Sequence, residues 1–338
     1  SAGASLDAGS NQNVFIGEGV SKASMNDAVN NVGVGYLALE DLTTGDYNTA
    51  LGTQAMLNTT DGQENVAIGQ GALSAANAGE SYNIAIGSGC MASVDNSASD
   101  SNVAIGREAF TGGGGAANKN VVIGADAMKS TGGNTQEGTI AIGYSALTAL
   151  TSGAGNVAVG SGSMAAMTTG DYNTAIGHRA LTLNVSGDYN VAVGYGTLST
   201  ANEDTANQNT AIGYKALTLL TTGINNTAVG SLAGGEGTIT GDSNTLVGKS
   251  AGATLSGGAR NVAIGTNALK VLTAGGTDAS LGNIAIGYGA LDSLQTGMSN
   301  VAIGVAAMDG AAGAVSNCVV IGDRAADGVL TTAADGAV

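Results

Sequence analysis

A five-residue phrase of one polar residue, three mostly apolar residues and a glycine recurs along the chain as Asn-x-Ala-Ile/Val-Gly. Eighteen copies are present, and successive closing glycines are 17 to 19 residues apart, except for one spacing of 22. These marker glycines are Gly17, Gly35, Gly52, Gly69, Gly87, Gly106, Gly124, Gly143, Gly160, Gly177, Gly194, Gly213, Gly230, Gly248, Gly265, Gly287, Gly304 and Gly322. A fixed short period is typical of repeat architectures, so the chain is expected to stack similar units.

Aligning the copies on the marker glycine shows what each position requires. The residue before the glycine is Ile, Val or Leu in all eighteen copies, and the residue two earlier is Val, Ile or Thr in all eighteen. Ala lies between them in thirteen copies. This pattern predicts a short strand that ends in a turn. Ala stands three residues after the glycine in fourteen copies and is usually followed by a large apolar residue, as at Ala146 and Leu147, which predicts a second short strand.

Units of this length are too short to bury a core alone, and two helices with a connection would not fit within 17 residues. The chain therefore predicts an all-β fold: a parallel β-solenoid, or β-roll, of about 18 coils over residues 13–326. Residues 1–12 form a lead-in and residues 327–338 an exit segment. Asn precedes the marker glycine by four residues in sixteen copies, failing only at Thr139 and Cys318. Stacked Asn side chains can satisfy buried polar atoms of adjacent coils, and the absence of Pro leaves the backbone N–H groups available for pairing.

The alternation along the first strand bears on assembly. If the aliphatic column, including Ile105, Ile176 and Ile264, faces the coil interior, the intervening alanines face outward. That outward stripe is represented by Ala67, Ala104, Ala158, Ala192, Ala263 and Ala302. A continuous apolar stripe favours association, and parallel chains wound around a common axis would bury it. A homotrimer is the simplest such arrangement.

Composition restricts the class of function. The 338 residues include 57 Gly, no Trp and one His, and 26 acidic against 10 basic residues give a net charge of −16, which argues against nucleic-acid binding. Residues 138–170 carry no charge, but seven glycines and many Ser, Thr and Asn interrupt them, so a membrane helix is not expected. Cys90 and Cys318 lie thirteen coils apart, too far to form a disulfide within one chain, and both are expected to be structural thiols.

No catalytic, cofactor-binding or metal-binding residue is predicted, and the chain is not expected to be an enzyme. The single histidine, His178, shares its column with tyrosines such as Tyr195 and Tyr214, which indicates an exposed corner. Gly248-Lys249-Ser250 is similar to the end of a phosphate-binding loop, but Ser243 stands where that motif needs glycine.

Two groups of polar side chains leave alternatives open. Asp46, Asp171 and Asp188 recur in Gly-Asp-Tyr-Asn, where an Asp in a turn is favoured over a calcium ligand because calcium loops present several acidic oxygens together. The tyrosines concentrate at coil edges, where they either pack turns or contact glycans or hydrophobic surfaces.

The phrases at 65–69, 102–106 and 261–265 read Asn-Val-Ala-Ile-Gly and resemble the head repeats of trimeric autotransporter adhesins, which read Ser-Val-Ala-Ile-Gly and form a left-handed parallel β-roll. Here Asn replaces Ser and the period is longer. Residues 168–181, which contain Thr-Thr-Gly-Asp-Tyr-Asn and Asn-Thr-Ala-Ile-Gly-x-x-Ala-Leu, are more similar to shaft repeats of phage tail fibres and of bacterial surface proteins that end in an endosialidase-type chaperone domain. The resemblance covers almost the entire chain and implies a fibre.

The expected function is therefore a non-enzymatic structural fibre, the shaft or decoration of a phage virion, without cofactors, nucleic-acid partners or membrane insertion. Other virion proteins or a host-surface glycan or protein are the expected further partners. The alternative is a bacterial surface adhesin or self-assembling extracellular filament. Ice binding is a third hypothesis, because threonines occupy the first strand column in five copies, at Thr49, Thr174, Thr210, Thr227 and Thr245.

Overall fold

The computed structural model describes residues 7, 9–77, 79–112, 115–132, 135–201, 206–272, 282–311 and 315–328. These residues form two units, 1–172 and 173–338, which are described separately. Both are all-β, and the described residues contain no helix, so the predicted parallel β-solenoid is confirmed. Residues 1–6 and 8 of the expected lead-in and 329–338 of the expected exit segment lie outside the described residues.

The first unit contains nine three-residue strands on one side of the coils. They are β1 (Val14–Ile16), β2 (Val32–Val34), β3 (Thr49–Leu51), β4 (Val66–Ile68), β5 (Ile84–Ile86), β6 (Val103–Ile105), β8 (Val121–Ile123), β10 (Ile140–Ile142) and β11 (Val157–Val159). Two shorter strands, β7 (Ala117–Asn118) and β9 (Gln136–Glu137), pair separately.

The second unit repeats this organisation with nine more three-residue strands. They are β12 (Thr174–Ile176), β13 (Val191–Val193), β14 (Thr210–Ile212), β15 (Thr227–Val229), β16 (Thr245–Val247), β18 (Val262–Ile264), β20 (Ile284–Ile286), β21 (Val301–Ile303) and β22 (Val319–Ile321). Here the shorter pair is β17 (Thr254–Leu255) with β19 (Val271–Leu272).

Within each unit the three-residue strands pair in parallel, and equivalent residues of successive coils are partners. Thr49 pairs with Val66, and the following two residues of each strand pair in the same order. The strand order along each unit therefore follows the repeat, and every position of the phrase forms a column. Residues 138–170, the uncharged stretch, contribute β10 and β11 to this arrangement.

The predicted asparagine ladder is present. The side-chain oxygen of Asn31 accepts hydrogen bonds from the backbone N–H of Asn48 at 2.9 Å and from its amide at 3.1 Å. The Asn48 amide also donates to the carbonyl of Gly62, 14 residues further along, at 2.8 Å. Each asparagine thus joins the preceding coil to its own, and it supplies hydrogen bonds that the buried corner would otherwise lack.

The marker glycines hold the strand-ending corner, as predicted. All eighteen have φ between +131° and +142°, a region that residues with a Cβ rarely adopt. The corner is also crowded, because a Cβ on Gly106 would lie 2.5 Å from the carbonyl oxygen of Gly124 in the next coil. Both the backbone conformation and the coil spacing therefore require glycine.

The predicted second strand after the marker glycine is wrong. Ala146 and Leu147 lie in a turn, and Leu147 has φ of +49°. A left-handed conformation is costly for leucine, but here it directs the side chain into the core, where Leu147 is fully buried. The turn is held by a backbone hydrogen bond from Leu147 to Ser163 of the next coil at 3.0 Å.

The predicted facing of the three-residue strands is also wrong. The central alanines Ala67, Ala104, Ala158, Ala192, Ala263 and Ala302 are completely buried within the single chain. Ile105, Ile176 and Ile264, expected inside, are 37%, 42% and 39% exposed.

The space inside the coil explains this inversion. A Cβ added to Gly33, at the central position of β2, would lie 2.8 Å from Val20 and 3.3 Å from Leu39, which follow marker glycines. These apolar residues of the turn already fill the interior opposite the strand. At Gly33 even a methyl group would displace Val20, and in most other coils the central position holds a fully buried alanine. The larger aliphatic side chains therefore face outward.

Candidate interaction surfaces

The outward positions of the three-residue strands form two parallel columns of mostly β-branched aliphatic side chains in each unit. We refer to these columns, the first and third residues of β1–β6, β8, β10–β16, β18 and β20–β22, as the aliphatic face. In the described structure none of these strand residues carries a charge, although the chain has a net charge of −16. Contiguous exposed apolar surface of this kind is typical of interaction sites.

The ion pairs of the described residues lie outside the aliphatic face, in turns, loops and, for Glu137 with Lys119, the short strand β9. In the first unit, Arg107 pairs with Asp126 at 3.1 Å, and Lys129 pairs with both Asp126 and Glu108. The hydrogen bond from Lys129 lowers the pKa of Glu108 below its ordinary value, and Glu108 in turn raises the pKa of Lys129. The pairs of Arg107 with Asp126 and of Lys129 with Glu108 connect adjacent coils, and none of these residues belongs to the aliphatic face.

The recurrent aspartates belong to the loop that precedes the asparagine column. A carboxylate oxygen of Asp46 accepts the backbone N–H of Val29 at 2.7 Å, and Asp171 accepts that of Ala154 at the same distance. Asp188 uses its backbone N–H to bind the side-chain oxygen of Asn207 at 2.7 Å. Among the described residues, no group of three or more Asp, Glu, His or Cys side chains is close enough together to bind a metal ion. The contacts of Asp46 and Asp171 are those of loop residues that bridge coils, the interpretation favoured over calcium binding.

All nine tyrosines are exposed, to between 47% and 61%. In the second unit, three aromatic rings follow successive marker glycines and stack. The centroids of His178 and Tyr195 are 5.4 Å apart, and those of Tyr195 and Tyr214 are 5.6 Å apart, with interplanar angles of 9° and 14°. The single histidine therefore belongs to an exposed aromatic column, as its alignment with the tyrosines indicated.

The two cysteines are both buried. Burial raises the pKa of the Cys90 thiol to about 12, so the reactive thiolate is disfavoured at neutral pH. Gly248, at the sequence similar to a phosphate-binding loop, has the φ of +134° common to the marker glycines, and Ser250 donates its N–H to Ser231. This segment is thus an ordinary coil corner.

No protein-family model matches the chain, and no curated protein matches it at a significant level. The described residues contain no helix that is long and apolar enough to cross a membrane.

The aliphatic face was missed by sequence reasoning, although one signal could have revealed it. In coils 13 and 14, Gly234 and Gly252 replace the usual large apolar residue four positions after the marker glycine, and between them Leu246 replaces the central alanine of β16. In the structure a Cβ on Gly252 would lie 2.6 Å from the Leu246 side chain. The larger side chain of Leu246 thus fills the space left by the missing side chains of Gly234 and Gly252, which shows that the central strand position faces the interior.

Proposed function

We propose that the chain is the shaft of a non-enzymatic structural fibre, in which parallel copies associate through the aliphatic face. The observation that carries the proposal is the presence, in each unit of a strongly acidic chain, of two uncharged and mostly aliphatic columns whose residues are half-buried or exposed. Apolar surface at every coil contributes to association at each repeat, whereas the acidic residues remain in the surrounding turns and loops.

A second copy of the chain is the partner that fits this face best. The columns repeat with the spacing of the coils, and neighbouring parallel strands are about 4.8 Å apart. A parallel copy has the same spacing, so side chains of one can interdigitate with those of the other over many coils. A partner without this periodicity would lose register after a few of them.

Three chains around a common axis would suit the narrowness of the face. Its two columns are separated by two residues along a strand, or about 6.6 Å. Three such narrow strips converging on an axis form a core, while two strips packed face to face leave their margins exposed. We therefore retain the homotrimer as the proposed assembly, now with the aliphatic columns rather than the alanines at the interface.

The resemblance of residues 168–181 to phage tail-fibre shaft repeats supports placement on a virion. A bacterial surface fibre would use the same assembly, and imaging of the native particle or cell by cryo-electron microscopy distinguishes these two locations.

The assembly is tested by light scattering on the full chain and on a triple variant, Ile176→Asp, Ile212→Asp and Ile264→Asp. The wild type should have three times the 32.4 kDa mass of the chain. The variant should be monomeric, because equivalent carboxylates of the three chains would meet at the interface, repel one another and lose hydration on association. A matched control places three aspartates at exposed positions elsewhere, Thr238, Ser293 and Ser299, and should retain the wild-type mass. A monomeric wild type at micromolar concentration, or a triple variant that stays associated, would overturn the proposal.

The exposure of the threonine column favours ice binding as a second candidate. Thr210, Thr227 and Thr245 are consecutive partners in the parallel ladder, and all three are partly exposed. A flat, regularly spaced row of hydroxyl and methyl groups can order water. Thermal hysteresis that disappears in a Thr210→Lys, Thr227→Lys variant would support this function, and its absence from the wild type would exclude it.

A further inference from the structure

A groove in the second unit combines aromatic, cationic and hydroxyl groups from three coils. It has a volume of about 490 Å³ and is lined by residues that include Arg179, Tyr195, Gly196, Ser199, Lys215 and Thr218. It lies in the turns that follow the marker glycines, so it does not include the aliphatic face. We propose that this groove binds an acidic glycan, a sugar chain that carries carboxylate groups.

The two cations occupy equivalent positions in coils separated by one intervening coil. Arg179 and Lys215 each stand two residues after a marker glycine, and Gly196 stands at the same position between them. Within this one column, Arg179 and Lys215 are therefore separated by two coil rises, or about 9.6 Å. Because Gly196 has no side chain, it leaves space between the cations for a ligand.

Both cations are available for an anionic ligand. Within the described residues, neither Arg179 nor Lys215 forms an ion pair, whereas Lys22, Arg107, Lys119 and Lys129 of the first unit all do. Among the described residues, those that line the groove include no carboxylate. An arginine and a lysine near open space, without acidic neighbours in the lining, favour carboxylate binding.

Hydroxyl groups also line the groove, among them those of Ser199 and Thr218. Thr218 donates its hydroxyl to the carbonyls of Lys215 and Gly196 at 2.8 and 3.2 Å, so its oxygen still has an acceptor site for a ligand hydroxyl. Tyr195 adds a half-exposed ring with a phenol group. The edge and phenol of this one ring, together with the hydroxyl groups, offer mixed apolar and polar contacts of the kind that suit sugars, which alternate C–H and O–H groups.

The aromatic stack argues against single-stranded nucleic acid as the ligand. Proteins bind unpaired bases by stacking them on exposed aromatic faces. Tyr195 has His178 on one face and Tyr214 on the other, so a base would have to separate rings that already stack. The net charge of −16 further disfavours a densely charged polyanion, whereas a glycan with a carboxylate on every second sugar carries charge more sparsely.

The groove is tested on the full-length chain by calorimetry with hyaluronan hexasaccharide, which has a carboxylate on every second sugar. Arg179→Gln and Lys215→Gln should each weaken binding at least tenfold, and the double variant should abolish it. Gly196→Gln should also abolish binding by filling the space between the cations. This variant should fold, because Gln54 already occupies the equivalent position of another coil with φ of +59°, and far-UV circular dichroism verifies it.

Matched controls remove cations that lie outside the groove. Lys249→Gln and Arg260→Gln should change the affinity less than twofold. The triple aspartate variant of the aliphatic face should bind hyaluronan as the wild type does, so failure of fibre assembly and failure of ligand binding are distinguishable.

Three comparison ligands complete the test. Neutral dextran oligosaccharides, a thymidine oligonucleotide and inorganic phosphate should bind at least tenfold more weakly than hyaluronan. Equal binding of dextran would overturn the proposal because charge would then be irrelevant. Equal binding of the oligonucleotide would overturn it because the ligand would then be a nucleic acid, and equal binding of phosphate because the site would then accept any small anion. Absence of hyaluronan binding to the wild type would overturn it as well.

Discussion

The side-chain oxygen of Asn48 accepts two hydrogen bonds from Asn65 of the next coil, one from the backbone N–H and one from the side-chain amide, both at 3.1 Å. The Asn65 amide also donates to the carbonyl of Glu80 at 2.8 Å, and its oxygen accepts the N–H of Asn83 at 2.9 Å. One buried side chain therefore bonds the coil before it, its own loop and the coil after it. Neither an acid nor an apolar residue can make all four of these hydrogen bonds.

Replacing Asn65 by Asp should destabilise the fold by about 3–5 kcal/mol, since two amide donors are lost and a buried carboxylate faces the oxygens of Asn48 and Glu80. Asn77→Asp adds the same charge at an exposed position and should change the free energy of unfolding by less than about 0.5 kcal/mol. Urea unfolding monitored by circular dichroism measures both. Equal effects of the two substitutions would contradict the role of the ladder.

Restoring the ladder at Thr139 should stabilise the protein. The Thr139 hydroxyl is buried and has no hydrogen-bond partner, although its N–H donates to Asn120 at 2.9 Å. Thr139→Asn should gain a bond to Asn120 and another to the carbonyl of Gly153, 14 residues on, and raise the free energy of unfolding by about 1–2 kcal/mol. Thr139→Val, which only removes the hydroxyl, should have a smaller effect. A Thr139→Asn protein that unfolds at lower urea than the wild type would refute this prediction.

The marker glycines should not tolerate alanine. Gly106→Ala brings a Cβ to 2.5 Å from a backbone oxygen at φ of +142° and should cost at least about 3 kcal/mol. Gly138 has φ of +64° and open space around its Cβ position, so Gly138→Ala should cost only about 1 kcal/mol. Thermal unfolding of the two variants separates the contribution of coil spacing from that of the backbone conformation.

Adjacent residues of β14 should differ strongly in how much the same substitution destabilises the fold. Ala211 is fully buried and Ile212 is 40% exposed, so Ala211→Asp should cost several kcal/mol through an unpaired buried charge, and Ile212→Asp less than about 1 kcal/mol. Each substitution is introduced separately into a chain that already carries Ile176→Asp and Ile264→Asp, so that self-association does not contribute to the measured stability. If Ile212→Asp were the more destabilising in urea, the assigned facing of the strands would be incorrect.

Cys90 should make stability depend on pH in the alkaline range. Its pKa is about 12 in the folded chain against an ordinary value of 9.0, because burial disfavours the thiolate. Between these values the unfolded chain loses the proton while the folded chain retains it, so stability present below pH 9 declines by about 1.4 kcal/mol per pH unit toward pH 12. Cys90→Ala, which restores the residue common at this position, should remove this part of the slope. Parallel slopes in wild type and variant would rule out the thiol as its source.

The aliphatic side chains could not be placed from the alternation of residues alone. In Val103-Ala104-Ile105 both strand faces are apolar, so polarity does not distinguish inside from outside, and the expectation that the larger residues face inward was wrong. The left-handed turn at Leu147 was missed for a related reason. Large buried side chains favour strands in general, and only packing against the next coil compensates the conformational cost at that position.

The sequence by itself determined the all-β class, the register of the coils, the asparagine ladder and the glycine corners, because each depends on a local requirement repeated at every copy. In a stacked coil, the amide of Asn48 bonds the neighbouring coils, and the missing Cβ of Gly106 allows the tight corner. The period of the repeat places each of these residues in a column of equivalent residues. Only the tertiary structure decided which face of each strand is covered and which groups meet in the groove near Gly196. The first depends on the volume left inside the coil and the second on side chains from three successive coils, and the residues of any single repeat specify neither.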